Sequence, residues 1–465
     1  MSEGMSERRI LIVGAGICGL AAAVELSRRG EHFVLVEKTG RVGGLSPTLH
    51  LAGEMFELGP HIYFDKDPDV SRFWTELVGE KLRAYERRTR LFYDGQYIKS
   101  PLSLLDTLTK LDPVTVARIL LSFLVAKLRR REITNAADWV SANFGTELYE
   151  RFFRVYNEKI WGLPSTRIAP DWAGQRIKSS LLTMVYKSLR RDPKFIVKSF
   201  AFPDGGSETI HAAQERLIRN DPRAELRLDT APKRIVRDGH GFQVWFGENT
   251  PPERFTHVIS TIHLSDLCAL ITYPDKDEAL IDVALSRLVY RDLVLLNLVF
   301  DAQDFRNMDE HWIDIHDPSV RALRVTNFSN YGIKPRGHVE AVGIEYNCTA
   351  GDDVSRMTDG EILAQGLADL KRMKLTQAAP RASAVLRVSK AYPVYFKGYR
   401  AVVEPLFAEL GKVEGLVLAG RNAMYKWNNM HHSVKTGLLA AQNVLGAHHD
   451  LTQVRGNVTI GKDTD

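Results

Sequence analysis

Cysteine is scarce: Cys18, Cys268 and Cys348 are the only three in 465 residues, far apart and without CxxC spacing. That excludes a disulfide framework and a cysteine-built zinc site, and fits a reducing, cytoplasmic setting. Long apolar runs are missing too. The nearest candidate, Ala117 to Glu132 (ARILLSFLVAKLRRRE), falls short of the ~20 residues needed to span a bilayer. It reads as an amphipathic helix packed on the core, with the basic cluster Lys127 to Arg131 as its solvated end, so no stable membrane insertion is expected. The opening MSEGMSERR runs directly into an apolar strand, and no export signal is visible. Charge of one sign is also lacking: 62 Lys and Arg against 57 Asp and Glu leave +5, spread thinly, which gives no case for nucleic-acid binding. HExxH, GxSxG and GxxxxGK[ST] are absent, and no His and carboxylate spacing argues for a catalytic metal.

What remains is ordinary globular usage, 44% hydrophobic and 26% charged, in a chain whose length suggests three folded units. Arg9 to Val13 (RILIV) reads as a buried parallel strand, followed at once by Gly14-Ala-Gly16-Ile-Cys-Gly19 and a helical pattern. Gly14 allows a tight turn, Gly16 lets backbone approach a pyrophosphate, and Gly19 permits close strand and helix packing, with the helix N-terminus facing the phosphates. A second strand, HFVLVE, ends at Glu37, where a carboxylate accepts hydrogen bonds from ribose hydroxyls. Strand, glycine loop, helix and acidic strand end together predict a dinucleotide site.

Beyond the acid, Lys38-Thr-Gly40-Arg41-Val-Gly43-Gly44-Leu45-Ser46 adds a second close backbone approach. This segment resembles the GG signature of FAD proteins in the group containing amine oxidases, protoporphyrinogen oxidases and UDP-galactopyranose mutases, so FAD is preferred to NAD. The resemblance implies an α/β fold: a GR2-type, Rossmann-like FAD-binding domain with a helical cap and a mixed-sheet substrate domain. The strands at His257 to Thr261 and Gly415 to Gly420 make the FAD domain discontinuous, over 1–64, 200–265 and 410–449. A helical cap is expected at 65–199, a mixed sheet at 266–409 and a loose tail at 450–465. The last helix, with Met430 and Ser433 in its first turn, could aim its amides at a negatively charged flavin edge.

A narrower resemblance to UDP-galactopyranose mutases rests on Gly59-Pro-His61, Phe152 to Gly162 (FFRVYNEKIWG), Phe202 to Gly206 (FPDGG) and Gly420 to Met430 (GRNAMYKWNNM). It implies a reduced flavin whose N5 attacks the anomeric carbon of a nucleotide-activated sugar, with pyranose to furanose isomerisation and no net redox change. Carried over by position, His61 lies beside the flavin, Tyr156 stacks on the base, Trp161 meets the sugar, and Arg421 adjoins the flavin. Arg176, Arg324, Tyr346 and Trp427 are the diphosphate contacts, with Tyr425 and Asn429 as further substrate neighbours. The resemblance places Gly14, Gly16, Gly19, Glu37, Lys38, Arg41, Gly43, Gly44, Leu45, Gly420, Arg421, Met430 and Ser433 at the cofactor. Trp427 departs from the family's tyrosine and Asn429 from its acid. Two other segments, His311 to Pro318 (HWIDIHDP) and Glu345 to Asp353 (EYNCTAGDD), look more like bacterial protoporphyrinogen-oxidase-like flavoproteins. The rival functions are therefore an FAD-dependent oxidase or dehydrogenase that removes hydride from a sugar, amine or other small molecule, and a flavin-binding protein without turnover. NAD(P)H is a candidate electron donor and a homodimer a candidate assembly.

Overall fold

The computed structural model describes residues 8–63, 67–100, 110–129, 132–171, 173, 199–331 and 338–454. Arg9–Val13 lies at the centre of a five-stranded parallel sheet ordered Leu416–Leu418, His257–Ser260, Arg9–Val13, His32–Val36, Ala224–Arg227. Three distant stretches of chain thus share one sheet. Strands covered on both faces have no polar side to alternate with, which is why RILIV and HFVLV read as continuous apolar runs. Helix Ile17–Arg29 and the late helix Met430–Val444 pack together. Gly437 permits that contact, since a Cβ there would lie 2.3 Å from the Cys18 carbonyl oxygen. A small sheet, Glu253–Phe255, Gly241–Trp245, Arg234–Asp238 and Ile271–Thr272, flanks this layer.

The second large body is a seven-stranded mixed sheet in the order Ala382–Pro393, Tyr290–Asp301, Val339–Cys348, Arg324–Asn327, Trp312–Ile315, Thr89–Tyr93, Gln96–Ser100. All its pairings are antiparallel except Trp312–Ile315 with Thr89–Tyr93. The expected division into a helical 65–199 and a sheet-forming 266–409 therefore does not follow the chain. Thr89–Tyr93 and Gln96–Ser100 belong to this sheet, and Leu82–Glu86 pairs with Ser199–Pro203. The cause is local: Asp94 and Gly95 both adopt positive φ, 50° and 68°, as a two-residue hairpin turn between twisted strands requires. Helices Pro68–Val78, Pro113–Leu128, Ala136–Phe144 and Arg154–Trp161 are the main described helices of that segment. Among the described residues, no helix is long and apolar enough to cross a membrane.

Candidate active site

The two glycine loops touch. Gly43 N donates to Ala15 O at 2.9 Å, and a Cβ on Gly44 would lie 2.9 Å from Gly16 Cα. At Gly14, φ is +101° and a Cβ would sit 2.6 Å from Thr261 Oγ1, while one on Gly19 would meet Gly14 O at 1.9 Å. Only hydrogen fits these places, so the backbone is bare where a pyrophosphate would approach. Glu37 is fixed at its strand end: Oε2 accepts from Ala15 N at 3.0 Å, and Oε1 from Thr39 N at 3.1 Å and Thr39 Oγ1 at 2.9 Å. Lys38 and Arg41 are exposed, and Leu45 is half-buried. Across the crevice Gly420 N donates to Thr436 Oγ1 at 3.2 Å, and Met430 and Ser433 are buried in the first turn of their helix. Asn428, fully buried, keeps both side-chain polar atoms without a hydrogen-bond partner among the described residues. A bare glycine cradle, an oriented carboxylate and an unsatisfied amide fit a dinucleotide cofactor.

The large sheet contributes one charged register row. Arg324 is the cross-strand partner of Asp314 on one side and of Glu345 on the other, so the three side chains stand in line on one face. Arg324 Nε donates to Asp314 Oδ1 at 2.8 Å, Nη1 meets both Glu345 oxygens at 3.2 Å, and Nη2 reaches Tyr156 Oη at 3.4 Å. Burial opposes the Arg324 charge, yet Glu345 and Asp314 together hold its pKa well above the ordinary value. Burial likewise pushes Glu345 up, against the pull of Arg324. Asp314 stays below its ordinary value because the Arg324 charge and hydrogen bond outweigh its burial.

The Gly59 to His61 turn lies against this row: a Cβ on Gly59 would come within 3.4 Å of Glu345 Oε1. Beneath it Glu57, 1% exposed, accepts from Thr48 Oγ1 (2.9 Å), Ser207 N (2.8 Å), Ser207 Oγ (2.7 Å) and His61 Nδ1 (3.0 Å). A carboxylate so engaged makes Nδ1 the donor, and fixes the ring so that its Nε2 edge points away from Glu57.

An aromatic wall closes one end. Trp427 stacks on Tyr392 with centroids 4.4 Å apart and packs at 4.9 Å on Trp161. That stack leaves no slot between its two rings. Arg421 lies 5.0 Å from the Tyr392 ring centroid and donates to Asn428 O (2.9 and 2.7 Å) and Ala391 O (3.3 Å). Burial, with no carboxylate beside it, lowers its pKa. Next to Trp161 opens a cavity of about 750 Å³ whose lining includes Lys159, Arg291, Arg321, Tyr346, Asp352 and Arg372, with none of Asp314, Arg324, Glu345 or His61 in it. Arg291 is spent on the carbonyls that end helix Arg154–Trp161, with Nε on Ile160 O at 3.3 Å, and on Asn347 O at 2.8 Å.

These positions correct several expectations. Arg324, expected as a diphosphate contact, has Asp314 and Glu345 on its nitrogens in this structure. Tyr346 turns to the opposite face from Glu345, as adjacent strand residues must, and its hydroxyl donates to Asp369 Oδ2 at 3.0 Å. Tyr425 is a structural tyrosine: it takes φ +47° and donates to the carbonyls of Val289 (2.7 Å) and Val394 (3.1 Å). Tyr156 already stacks on His316 at 4.3 Å and 5°, and bonds Asp314 Oδ1 at 3.1 Å. Asn429 precedes the late helix, its N–H donating to His432 Nδ1 at 3.1 Å. Arg176 lies outside the described residues. His61 bonds Glu57 on the turn that lies against Glu345, and Trp161, Trp427 and Arg421 gather around one another and Tyr392. Glu57, Asp314 and Glu345 were not foreseen, although strand alternation within EYNC would have placed Glu345 opposite Tyr346.

The comparisons agree with this architecture. A 25% identical stretch of 156 residues, 32% of this chain and 30% of its relative, matches protoporphyrinogen oxidase 2 of Arabidopsis thaliana. The chain spans less than half the length of the curated relatives it matches. Among solved structures, a reduced UDP-galactopyranose mutase aligns with TM-score 0.81 at 20% identity, over 96% of both chains. Cyclohexylamine oxidase from Brevibacterium oxydans aligns with TM-score 0.67 at 17% identity, over 94% of this chain and 98% of its own. At those identities the likeness is one of fold. The model of the flavin containing amine oxidoreductases matches residues 17–445, and the chain belongs to that family.

Proposed function

We propose that this flavoenzyme oxidises a small polar molecule at a carbon bearing a hydroxyl or amino group, the bound FAD supplying the hydride acceptor. The observation that carries this reading is the Asp314, Arg324, Glu345 row beside the His61 turn. Two carboxylates against one guanidinium leave that wall net negative, which suits an uncharged or cationic substrate and opposes a diphosphate. Glu345 holds the substrate's O–H or N–H group. His61, its Nδ1 anchored by Glu57, takes the proton at Nε2 as hydride leaves the neighbouring carbon. The packed aromatic pair of Trp161 and Trp427 keeps water from that end.

Under this reading His61→Gln lowers the anaerobic flavin-reduction rate about 10²–10⁴-fold while flavin content stays unchanged. Stopped-flow titration of the oxidised holoenzyme with amines, alcohols and free sugars tests it: bleaching of the flavin band by one class supports oxidation. Failure of every class to bleach it, together with turnover of a nucleotide sugar by the reduced enzyme, would overturn it.

A second reading, nucleotide-sugar mutase, is favoured by Arg421. That arginine is held by the Asn428 and Ala391 carbonyls and by Tyr392, with no carboxylate partner among the described residues, a setting that suits an anion, and the cavity next to Trp161 has room for a nucleotide. Under that reading the flavin works reduced, with NAD(P)H as its electron donor.

A further inference from the structure

The surface of the helical segment carries a feature that the flavin site does not use. Nine large apolar side chains are exposed among the described residues, and six stand on one helix, Pro113–Leu128: Val114, Leu120, Leu121, Leu124, Val125 and Leu128. Leu121 is 63% and Leu128 86% exposed. The helix has an inner face of its own, since Thr115, Ile119 and Phe123 are buried. Its apolar outer face is therefore additional to what packing on the core demands.

At ~100° per residue the six form one stripe about 140° wide along a helix roughly 24 Å long. Exposed basic residues border the stripe on both sides, Arg118 and Arg129 on one and Lys127 on the other. Pro113–Leu128 contains no acidic residue. An apolar stripe between two basic margins matches a helix lying in the plane of a lipid surface, with leucines among the acyl chains and cations at anionic headgroups. A second copy of the chain fits less well, because face-to-face contact would bring the basic margins of both copies together.

We propose that helix Pro113–Leu128 docks the protein on an anionic lipid surface, peripherally and reversibly. Flotation of the FAD-loaded full chain with vesicles of phosphatidylcholine alone, or mixed with phosphatidylglycerol, tests it. The wild type is expected to float with the mixed vesicles and to be released as salt rises, since the margin charges are screened. The double variant Leu121→Glu, Leu124→Glu, with flavin content and circular dichroism unchanged, is expected to lose binding at least about tenfold. Arg118→Glu should weaken binding to the mixed vesicles only. Absence of flotation with either vesicle would overturn the proposal, as would equal binding by the double variant. Light scattering that shows a wild-type dimer split by the same substitutions would overturn it as well, by naming a second copy as what covers the stripe.

Discussion

Replacing Arg324 by alanine would leave Asp314 and Glu345 buried in one row with no cation between them. Removing one partner of a buried charge network costs about 3–5 kcal/mol, so Arg324→Ala is expected to lower the unfolding midpoint in urea strongly, with Asp314 and Glu345 both inclined to take up protons. A diphosphate clamp would behave differently, with stability unchanged and KM raised. Glu37 poses the opposite test. Its carboxylate orders the loop ends at Ala15 and Thr39, and Glu37→Ala is expected to lower the flavin-to-protein absorbance ratio, with FAD held roughly tenfold or more weaker. The residues of the cofactor cradle were legible in the sequence because their constraint is steric and local: nothing but glycine fits at positions 14, 19 and 44. The substrate residues were less so. A motif alone points to Tyr346, and the two-residue period of its strand puts Tyr346 and Glu345 on opposite faces of the sheet.

Strand Trp312–Ile315 is bracketed by two histidines whose burial pushes both pKa values down to about 4. His311 sits among Phe200, Tyr331 and Tyr85, and His316 under Tyr156. A histidine that is harder to protonate when folded stabilises fully above its unfolded value near 6.5, and that stability is lost as pH falls toward 4. Each contributes a slope of up to about 1.4 kcal/mol per pH unit in that window. Thermal unfolding followed from pH 7 to pH 4.5 should thus show a falling midpoint, and His311→Gln should flatten the fall. A midpoint that rises on acidification would contradict the assignment of neutral, buried histidines. At this scale the helices and buried strands could be read from their periods, whereas the hairpin Thr89–Tyr93 to Gln96–Ser100 was hidden in a stretch otherwise rich in helical pattern. Its Asp94-Gly95 turn was the available signal. No local pattern announces that the hairpin joins a sheet whose other strands begin some two hundred residues later, because strand partners are chosen by tertiary packing.

Across the whole molecule two sheets are built from interleaved chain segments, and the Glu57 to His61 segment lies against the second of them at Glu345. One brings bare backbone and the oriented Glu37; the other brings the Asp314, Arg324, Glu345 row. The parallel sheet was foreseeable from its apolar runs and its glycine fingerprint. The character of the second wall was not, since it depends on which side chains three neighbouring strands place in one register. The proposed oxidation rests on that wall. The most direct measurement is mass spectrometry of products after anaerobic incubation of oxidised and photoreduced enzyme with a panel of amines, alcohols, free sugars and nucleotide sugars, ring isomers being separated by chromatography. Oxidation yields a product two hydrogens lighter than its parent from the oxidised enzyme, with matching loss of the flavin band. A furanose of unchanged mass, formed from a nucleotide sugar by the reduced enzyme alone, would contradict it.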